Sequence, residues 1–281
     1  MDKMFMSGVW MLPLSTSSVR ANSEPSVVVC VRNSSTAVEL SWIDCNKREI
    51  IHRSKLESVP ERTNVSPLWR VGDIDGDGVE DVALLSRDRA TAYSAVTGKQ
   101  LSEVLIPDVQ GVQAPTAACE CGDLDDDGIP DLLIGRPSLD VMSGDGIVSA
   151  FSSKTGKFLM QSAEPARGPG FGTSLLVRKS GSSMQVYVGK FGLFDGGIDI
   201  LSGQSLLRSA SIPGLNGELP DVAMRLFPGD DYDGDGVTDL VASRYSVMTA
   251  GISTQGAVVY SGKDHSMIVR IERDQVLVSL R

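Results

Sequence analysis

The chain has 281 residues, a formal net charge of −10 at pH 7 and 41% hydrophobic residues. This length and apolar content suffice for a folded protein with a substantial core. The sequence has no Lys/Arg-rich tract, so nucleic acid is not expected as a partner. It also has no apolar segment near the roughly 20 residues that a transmembrane helix needs.

The N-terminus has two interpretations. Residues 4–14 form an apolar stretch after Lys3, and residues 19–21, Val-Arg-Ala, resemble a cleavage site. This pattern is compatible with a signal peptide within residues 1–25. The alternative is a β-strand at the start of the chain, which would also be available to close a ring of sheets.

The acidic residues are concentrated in a nine-residue motif, Asp-x-Asp-x-Asp-Gly-x-x-Asp, which begins at Asp73, Asp123 and Asp231. Each motif region holds five acids, so together they contain 15 of the 36 acidic residues. Carboxylates this close repel one another unless a cation lies among them. Oxygen ligands at alternate positions, with a glycine turn after the third, suit Ca²⁺. We therefore predict three Ca²⁺ sites.

The expected ligands are the side chains at loop positions one, three, five and nine and the backbone carbonyl at position seven. An EF-hand would instead need a bidentate glutamate at position twelve and a helix beyond it. Here position twelve is apolar, and a short apolar run typical of a buried strand follows each motif. We therefore predict a metal loop between two strands in each case. The predicted ligands are Asp73, Asp75, Asp77, Val79 and Asp81; Asp123, Asp125, Asp127, Ile129 and Asp131; and Asp231, Asp233, Asp235, Val237 and Asp239.

The motif spacing indicates a repeat array. The first two motifs begin 50 residues apart and the last two 108 apart, about two further periods. A strand and a Gly-Lys-type turn accompany each period, at Gly98-Lys99, Gly156-Lys157 and Gly262-Lys263. The same marker occurs at Gly203-Gln204, inside the long gap, and more faintly at Asn46-Lys47.

Repeats of this length with four short strands each, and no sustained helical period, are typical of β-propeller blades. The predicted fold is all-β, a propeller of about five four-stranded blades, three of which carry Asp-rich calcium loops. The predicted units are about 26–60, 67–107, 112–165, 168–213 and 221–273. Residues 274–281 are a candidate ring-closing strand. A β-sandwich with calcium loops is the alternative, but it would not require a regular period.

These stretches resemble FG-GAP repeats, the blades of the integrin α-subunit propeller. Phe171-Gly172-Thr-Ser174 matches the opening of the family pattern, and the Asp motifs match its middle. Ile134-Gly135-Arg136-Pro137 nearly matches its end. The resemblance covers about residues 67–273. The unit at 168–213 has Arg178-Lys-Ser-Gly-Ser-Ser183 in place of the Asp motif, so we expect no metal there.

The resemblance implies an extracellular or cell-surface interaction or adhesion module that binds a protein or glycan. Catalysis is not expected, because hydrolase and nucleotide-binding motifs are missing and both histidines, His52 and His265, are expected to be surface turn residues. The alternative is a glycan lyase or hydrolase with an active site at the propeller channel, near residues 139–146 and 246–255. Cys30 and Cys45 are candidates for a disulfide, and buried free thiols are the other interpretation.

Overall fold

The structure, a computed structural model, is all-β. It contains twenty strands and, among the residues that it describes, no helix. The residues described are 9–14, 27–33, 38–44, 46–56, 68–79, 81–86, 88–94, 96–113, 115–138, 145–162, 170–180, 183–190, 196–214, 222–248 and 251–272. The same residues include no helix long and apolar enough to cross a membrane.

The strands form five antiparallel sheets, each built from four strands that are consecutive in the chain. Sheet one contains β1 (Val9–Leu14), β2 (Val27–Asn33), β3 (Val38–Asp44) and β4 (Glu49–Leu56). Sheet two contains β5 (Leu68–Arg70), β6 (Val82–Leu85), β7 (Arg89–Tyr93) and β8 (Gln100–Leu105). Sheet three contains β9 (Ala117–Glu120), β10 (Leu132–Arg136), β11 (Ile147–Phe151) and β12 (Phe158–Gln161).

Sheet four contains β13 (Ser174–Ser180), β14 (Ser183–Lys190), β15 (Gly197–Ser202) and β16 (Arg208–Pro213). Sheet five contains β17 (Val222–Pro228), β18 (Leu240–Met248), β19 (Gly251–Tyr260) and β20 (Met267–Glu272). The chain divides into two compact units. Unit one comprises residues 1–108, 119–132 and 151–159, and unit two comprises residues 109–118, 133–150 and 160–281.

The first sheet begins earlier than the sequence predicts. A unit over residues 26–60 would contain only β2, β3 and β4, whereas β1 is supplied by Val9–Leu14 and pairs with β2, with Trp10 opposite Val31. The apolar N-terminal stretch is thus a strand over these residues, and sheet one takes all four strands from the N-terminal part of the chain. The predicted closing strand at 274–281 lies outside the described residues.

The strands that follow the acidic motifs are buried on both faces. Leu132, Leu133 and Ile134 in β10 are each at most 3% exposed, as expected for a continuous apolar run. In unit two, sheets four and five share a core in which Tyr187 and Ile198 pack with Leu240 and Val258. Burial of such side chains contributes roughly 1.5–3 kcal/mol each relative to exposure, so these strands hold the loops between them in place.

The turn after the third strand recurs in sheets two to five. The glycines that the sequence aligns in these turns do not all occupy the same position of the turn. Each turn is closed by a backbone hydrogen bond from a residue with positive φ: Gly98 (69°), Gly156 (72°), Leu206 (52°) and His265 (65°). The sequence aligns Gly203 and Gly262 with Gly98, but the structural counterparts of Gly98 are Leu206 and His265, three residues later in each case. Glycine tolerates this left-handed conformation, but the later turns place other residues there.

The structure changes one further prediction and agrees with another. The sequence interprets residues 246–255 as a loop, but the described residues 246–248 and 251–255 extend the β18–β19 ladder, in which Ser246 lies opposite Ser253. Cys119 and Cys121 form no disulfide, in agreement with the thiol interpretation, and burial raises the pKa of Cys119. The candidate Cys30–Cys45 pair lies outside the described part of the chain, since Cys45 is not described.

Candidate metal centres

All three acidic motifs lie between the first and second strands of their sheets, in residues 71–81, 121–131 and 229–239. Backbone hydrogen bonds close each loop at its base. In loop one (71–81), Asp81 N–H donates to Gly72 O at 2.7 Å, and Val71 N–H donates to Asp81 O at 3.1 Å. Loops two (121–131) and three (229–239) have the same pair of bonds. The predicted placement between two strands is confirmed.

The carboxylate at position one organises the turn. In loop one, Asp73 Oδ1 accepts hydrogen bonds from Gly76 N at 2.8 Å and Asp77 N at 3.0 Å, while Oδ2 accepts one from Gly78 N at 2.8 Å. Asp231 accepts from all three equivalent backbone groups, and Asp123 accepts from those of Asp127 and Gly128. The N–H groups, that of Gly236 first, lower the pKa of Asp231 because they stabilise its charged form.

Two positions in each loop have left-handed backbone. At position six, Gly78, Gly128 and Gly236 have φ of 88°, 88° and 86°. At position four, loops one and three have glycine, but loop two has Asp126 with φ of 58°. A non-glycine residue in this conformation costs about 1–2 kcal/mol, less for Asp or Asn. Loop two therefore carries local strain that the other two loops lack.

The carboxylate at position nine is buried in every loop. Asp81, Asp131 and Asp239 are at most 1% exposed. In each of them Oδ2 accepts a hydrogen bond of 2.7 Å from the backbone N–H at position two. Burial raises the pKa of Asp131 to about 6, and the charges of Asp125 and Asp127 act in the same direction.

Carboxylate oxygens converge in each loop closely enough to hold a metal ion. One oxygen from each of three aspartates lies within 4.8 Å of the others in three groups: Asp73, Asp75 and Asp81; Asp123, Asp125 and Asp127; and Asp231, Asp233 and Asp239. The structure thus brings together three of the four predicted carboxylates per loop. The exceptions are Asp77, Asp131 and Asp235.

The residues at position seven form a different contact from the one predicted. The backbone N–H groups of Val79, Ile129 and Val237 donate to the position-five carboxylates at 2.8–2.9 Å. These bonds fix the orientation of the position-five side chains. The role of the three carbonyl groups as ligands stays a prediction.

The chemistry of the loops fits a hard divalent cation. All converging side-chain atoms are carboxylate oxygens. In loop two, Asp127 Oδ2 is buried and has no hydrogen-bond partner among the described residues. An uncompensated buried carboxylate oxygen is costly, and a bound cation would satisfy it. In loop one, burial first, and then the charges of Asp75 and Asp73, raise the pKa of Asp77, so the charged form needs compensation there as well.

Sheet four has a different connection at this position. Strands β13 and β14 pair up to Ser180 and Ser183 and are joined through residues 181 and 182. The Arg178-Lys-Ser segment that replaces the acidic motif therefore belongs to a tight hairpin instead of a metal loop. The described part of this hairpin contains no aspartate or glutamate.

Sequence reasoning missed the role of Arg178. Its guanidinium donates from Nη1 to Gly262 O at 3.0 Å and from Nη2 to Thr238 Oγ1 at 3.3 Å. Thr238 is position eight of loop three, so a side chain of sheet four contacts an acidic loop of sheet five. The partners are 60 and 84 residues away in the chain, and no local pattern indicates such a contact.

Of the two histidines, His52 differs from the prediction of a surface turn residue, whereas His265 lies in the predicted turn. His52 lies in β4, and its ring packs edge-on against the buried Trp42 ring with the centroids 5.0 Å apart. His265 Nε2 lies 3.1 Å from Tyr187 Oη, and the histidine is half-buried. The His52 ring thus packs against a neighbouring strand, and the His265 ring packs from its turn against Tyr187. The residues next to them in the sequence do not reveal these contacts.

Comparisons with known proteins agree with this geometry. Residues 73–134 match the model of the FG-GAP-like repeat. The chain is similar to the solved Dos1 propeller, with a TM-score of 0.53 and 10% identity, over 88% of this chain and 55% of that one. It is also similar to hydrazine synthase of Kuenenia stuttgartiensis, with a TM-score of 0.55 and 10% identity, over 89% of this chain and 63% of that one. No curated protein matches the chain.

The four-stranded sheets and the similar structures define a β-propeller fold. The match over residues 73–134, which contain the first two acidic motifs, supports an FG-GAP repeat β-propeller. At 10% identity, the solved structures support the fold alone. The chain spans 55% and 63% of the length of these two similar chains.

Proposed function

We propose that the protein is a calcium-binding β-propeller that serves as an extracellular or cell-surface interaction or adhesion module. One observation carries the proposal: the same hairpin of three different sheets holds a cluster of three converging carboxylates. An isolated acidic cluster would be ordinary surface chemistry. The repetition of its hydrogen bonds, its left-handed glycines and its buried ninth residue supports a shared metal-binding role.

Calcium suits these loops better than the smaller Mg²⁺. Ca²⁺ accepts six to eight oxygen ligands in flexible geometry, whereas Mg²⁺ requires near-ideal octahedral geometry and keeps several waters. Each loop offers several carboxylates and backbone carbonyls in a short segment, which matches the many oxygen ligands that Ca²⁺ accepts. Bound Ca²⁺ would supply positive charge that offsets the repulsion among the aspartates.

The role of the metal in this proposal is structural. Each loop joins two strands of the core, and its position-nine aspartate is buried beside the second strand. A cation held by these carboxylates would fix the ends of both strands. Sites of this kind in extracellular modules bind Ca²⁺ with dissociation constants of about 10⁻⁴–10⁻³ M, which suits a compartment rich in calcium.

A binding role is favoured over catalysis. The protein's two histidines contact Trp42 and Tyr187 and are therefore engaged in packing. The carboxylates that lie together belong to the proposed metal loops, where they act as ligands and not as acids or bases. We propose a protein or glycan as the ligand, bound by loops that the metal sites hold in place.

The proposal is tested by calcium titration followed by ligand screening. Isothermal calorimetry of the purified chain is expected to give three Ca²⁺ per chain. A glycan array and a panel of extracellular proteins are then probed with and without about 2 mM Ca²⁺, a concentration above the dissociation constants of about 10⁻⁴–10⁻³ M expected for such sites. We expect binding that requires Ca²⁺. Hydrolysis or elimination products from a bound glycan would instead support the lyase or hydrolase alternative.

A further inference from the structure

Arg178 connects sheet four to the metal loop of sheet five. It lies in β13, in the segment that replaces the acidic motif, and is half-buried. Its two terminal nitrogens reach different acceptors, Gly262 O at 3.0 Å and Thr238 Oγ1 at 3.3 Å. Because the guanidinium group is planar and rigid, these two bonds set the distance between the two acceptors.

Both acceptors adjoin the buried carboxylate of loop three. Thr238 immediately precedes Asp239, and Gly262 N–H donates to Asp239 Oδ1 at 2.9 Å. The Arg178 side chain therefore holds the chain on both sides of this carboxylate. Asp239 in turn contributes an oxygen to the cluster with Asp231 and Asp233.

Arg178 is itself held in place by neighbouring residues. Its guanidinium carbon lies 6.0 Å from the centre of the Tyr187 ring, a cation–π distance. The hydroxyl of Tyr187 contacts Gln185 Oε1 and His265 Nε2, each at 3.1 Å. His265 belongs to the same turn as Gly262. This turn therefore contacts sheet four and also holds Asp239 of loop three through the Gly262 N–H group.

We propose that Arg178 is a positioning residue for the cation site of loop three, so that this site is built from two sheets and its affinity depends on the contact between them. The inference rests on the proposed function. Loop two differs, because its neighbouring cation comes from the same sheet: Lys154 Nζ donates to Asp127 O at 3.1 Å. Loop three contacts sheet four, whose β13–β14 hairpin contains no acidic residue in its described part.

The direction in which the Ca²⁺ affinity of loop three changes distinguishes a positioning role of Arg178 from a purely electrostatic one. A guanidinium beside a cation site repels the cation, so removal of its charge alone would raise the affinity. Loss of a positioning contact would lower the affinity, because the Asp239 carboxylate would no longer be held ready for the metal. The two explanations therefore predict opposite changes for the same variant.

Loop three contains its own spectroscopic reporter. Tyr232 occupies position two and is 56% exposed, whereas loops one and two have Ile74 and Leu124 there. Terbium luminescence sensitised by Tyr232 reports cation binding at loop three, and the signal lost in Tyr232→Phe identifies this contribution. Competition with Ca²⁺ then gives the calcium affinity of the loop.

The experiment compares Arg178→Ala and Arg178→Lys with the control Lys263→Met. Lys263 is exposed and carries a positive charge on the same turn. Arg178→Ala and Arg178→Lys are each expected to lower the Ca²⁺ affinity of loop three about fivefold or more, a typical size for coupled sites. For Lys263→Met, the Ca²⁺ affinity of loop three is expected to be unchanged or slightly higher. The affinities of loops one and two stay at the wild-type value.

The outcomes are distinct. If Arg178→Ala leaves the affinity of loop three unchanged or raises it, the inference is wrong while the proposed calcium function stands. If the wild-type chain binds no Ca²⁺, both are wrong. Where Arg178→Ala fails to fold, Thr238→Val decides, because it removes one acceptor and keeps the arginine. We expect Thr238→Val to reduce the affinity of loop three, and an unchanged affinity would overturn the inference.

Discussion

Asp239 and Gly262 are joined by a hydrogen bond of 2.9 Å from the backbone N–H of the glycine to Oδ1 of the carboxylate, 23 residues away in the chain. The other oxygen of Asp239 accepts from Tyr232 N at 2.7 Å. One buried side chain thus ties a proposed metal loop to the turn after the third strand. Asp131 does the same in loop two, where Ser153 N donates to Oδ1 at 3.3 Å.

This arrangement explains why the ninth residue of the motif differs from the others. The aspartates at positions one and three of loops two and three are exposed, and their place is fixed by the loop backbone. Asp131 and Asp239 are buried and reach two segments of the chain. Substitution at position nine is therefore expected to damage the fold, while substitution at position three is the cleaner test of metal binding.

Removal of the third-position carboxylate is expected to abolish one site at a time. Asp75→Ala, Asp125→Ala and Asp233→Ala each remove one member of a converging cluster, so each is expected to reduce the calcium stoichiometry by about one per chain. Calorimetric titration measures this number. The control is Asp108→Ala, an exposed aspartate outside the loops, which should leave it unchanged. Stoichiometry that is insensitive to all three loop variants would refute the assignment of these clusters.

Replacement of Asp126 by glycine is expected to stabilise the protein. Asp126 has a φ of 58° at the position where loops one and three have glycine, and it is outside the converging cluster of loop two. Asp126→Gly relieves left-handed strain, which amounts to roughly 1 kcal/mol. Chemical denaturation in the presence of chelator measures the change. The matched control is Gly76→Asp, which introduces the same strain into loop one and is expected to destabilise the protein by a similar amount.

Calcium binding at loop two is expected to weaken in mild acid. Burial raises the pKa of Asp131 to about 6 in the metal-free protein. A raised carboxyl pKa means that this group contributes stability below about pH 4, and that this contribution is lost as the pH rises through about 6. Asp131 is a predicted ligand of this loop, and cation binding favours its ionised form, so the Ca²⁺ affinity should fall by up to about tenfold from pH 7 to pH 5. The variant Asp75→Ala/Asp233→Ala isolates loop two for this titration, and an affinity independent of pH would contradict the prediction.

Gly135→Ala is expected to disrupt the contact between sheet three and the Phe171-Gly172 segment. A Cβ at residue 135 would collide with the backbone carbonyl of Gly172, which has no side chain that could move away. Overpacking of this kind costs typically about 1–3 kcal/mol. Thermal unfolding measures the loss. Gly111→Ala is a useful comparison, because a Cβ there has no neighbour within 4 Å and only the positive φ of 82° is strained; equal losses would show that the collision is unimportant.

The acidic loops and their flanking strands were predictable because the determinants are local. Nine consecutive residues contain the carboxylates and the glycine turn, and β6, β10 and β18 follow directly as apolar runs. The turns after the third strands of sheets four and five were misaligned because their left-handed positions are occupied by Leu206 and His265 and not by a glycine. Strand β1 was assigned to no unit because only its pairing with β2 distinguishes it from an apolar leader. Arg178 was missed because both of its partners are distant in sequence.

The stability of the protein with and without calcium tests the central claim most directly. At about 2 mM free Ca²⁺ and a dissociation constant near 0.1 mM, each site adds about 1.8 kcal/mol to the free energy of unfolding, and three independent sites add about 5 kcal/mol. Thermal unfolding of the purified chain in 2 mM Ca²⁺ is compared with unfolding in excess chelator. We predict a higher midpoint with calcium, and a smaller shift for each of the variants Asp75→Ala, Asp125→Ala and Asp233→Ala. A midpoint that chelator leaves unchanged would contradict the account.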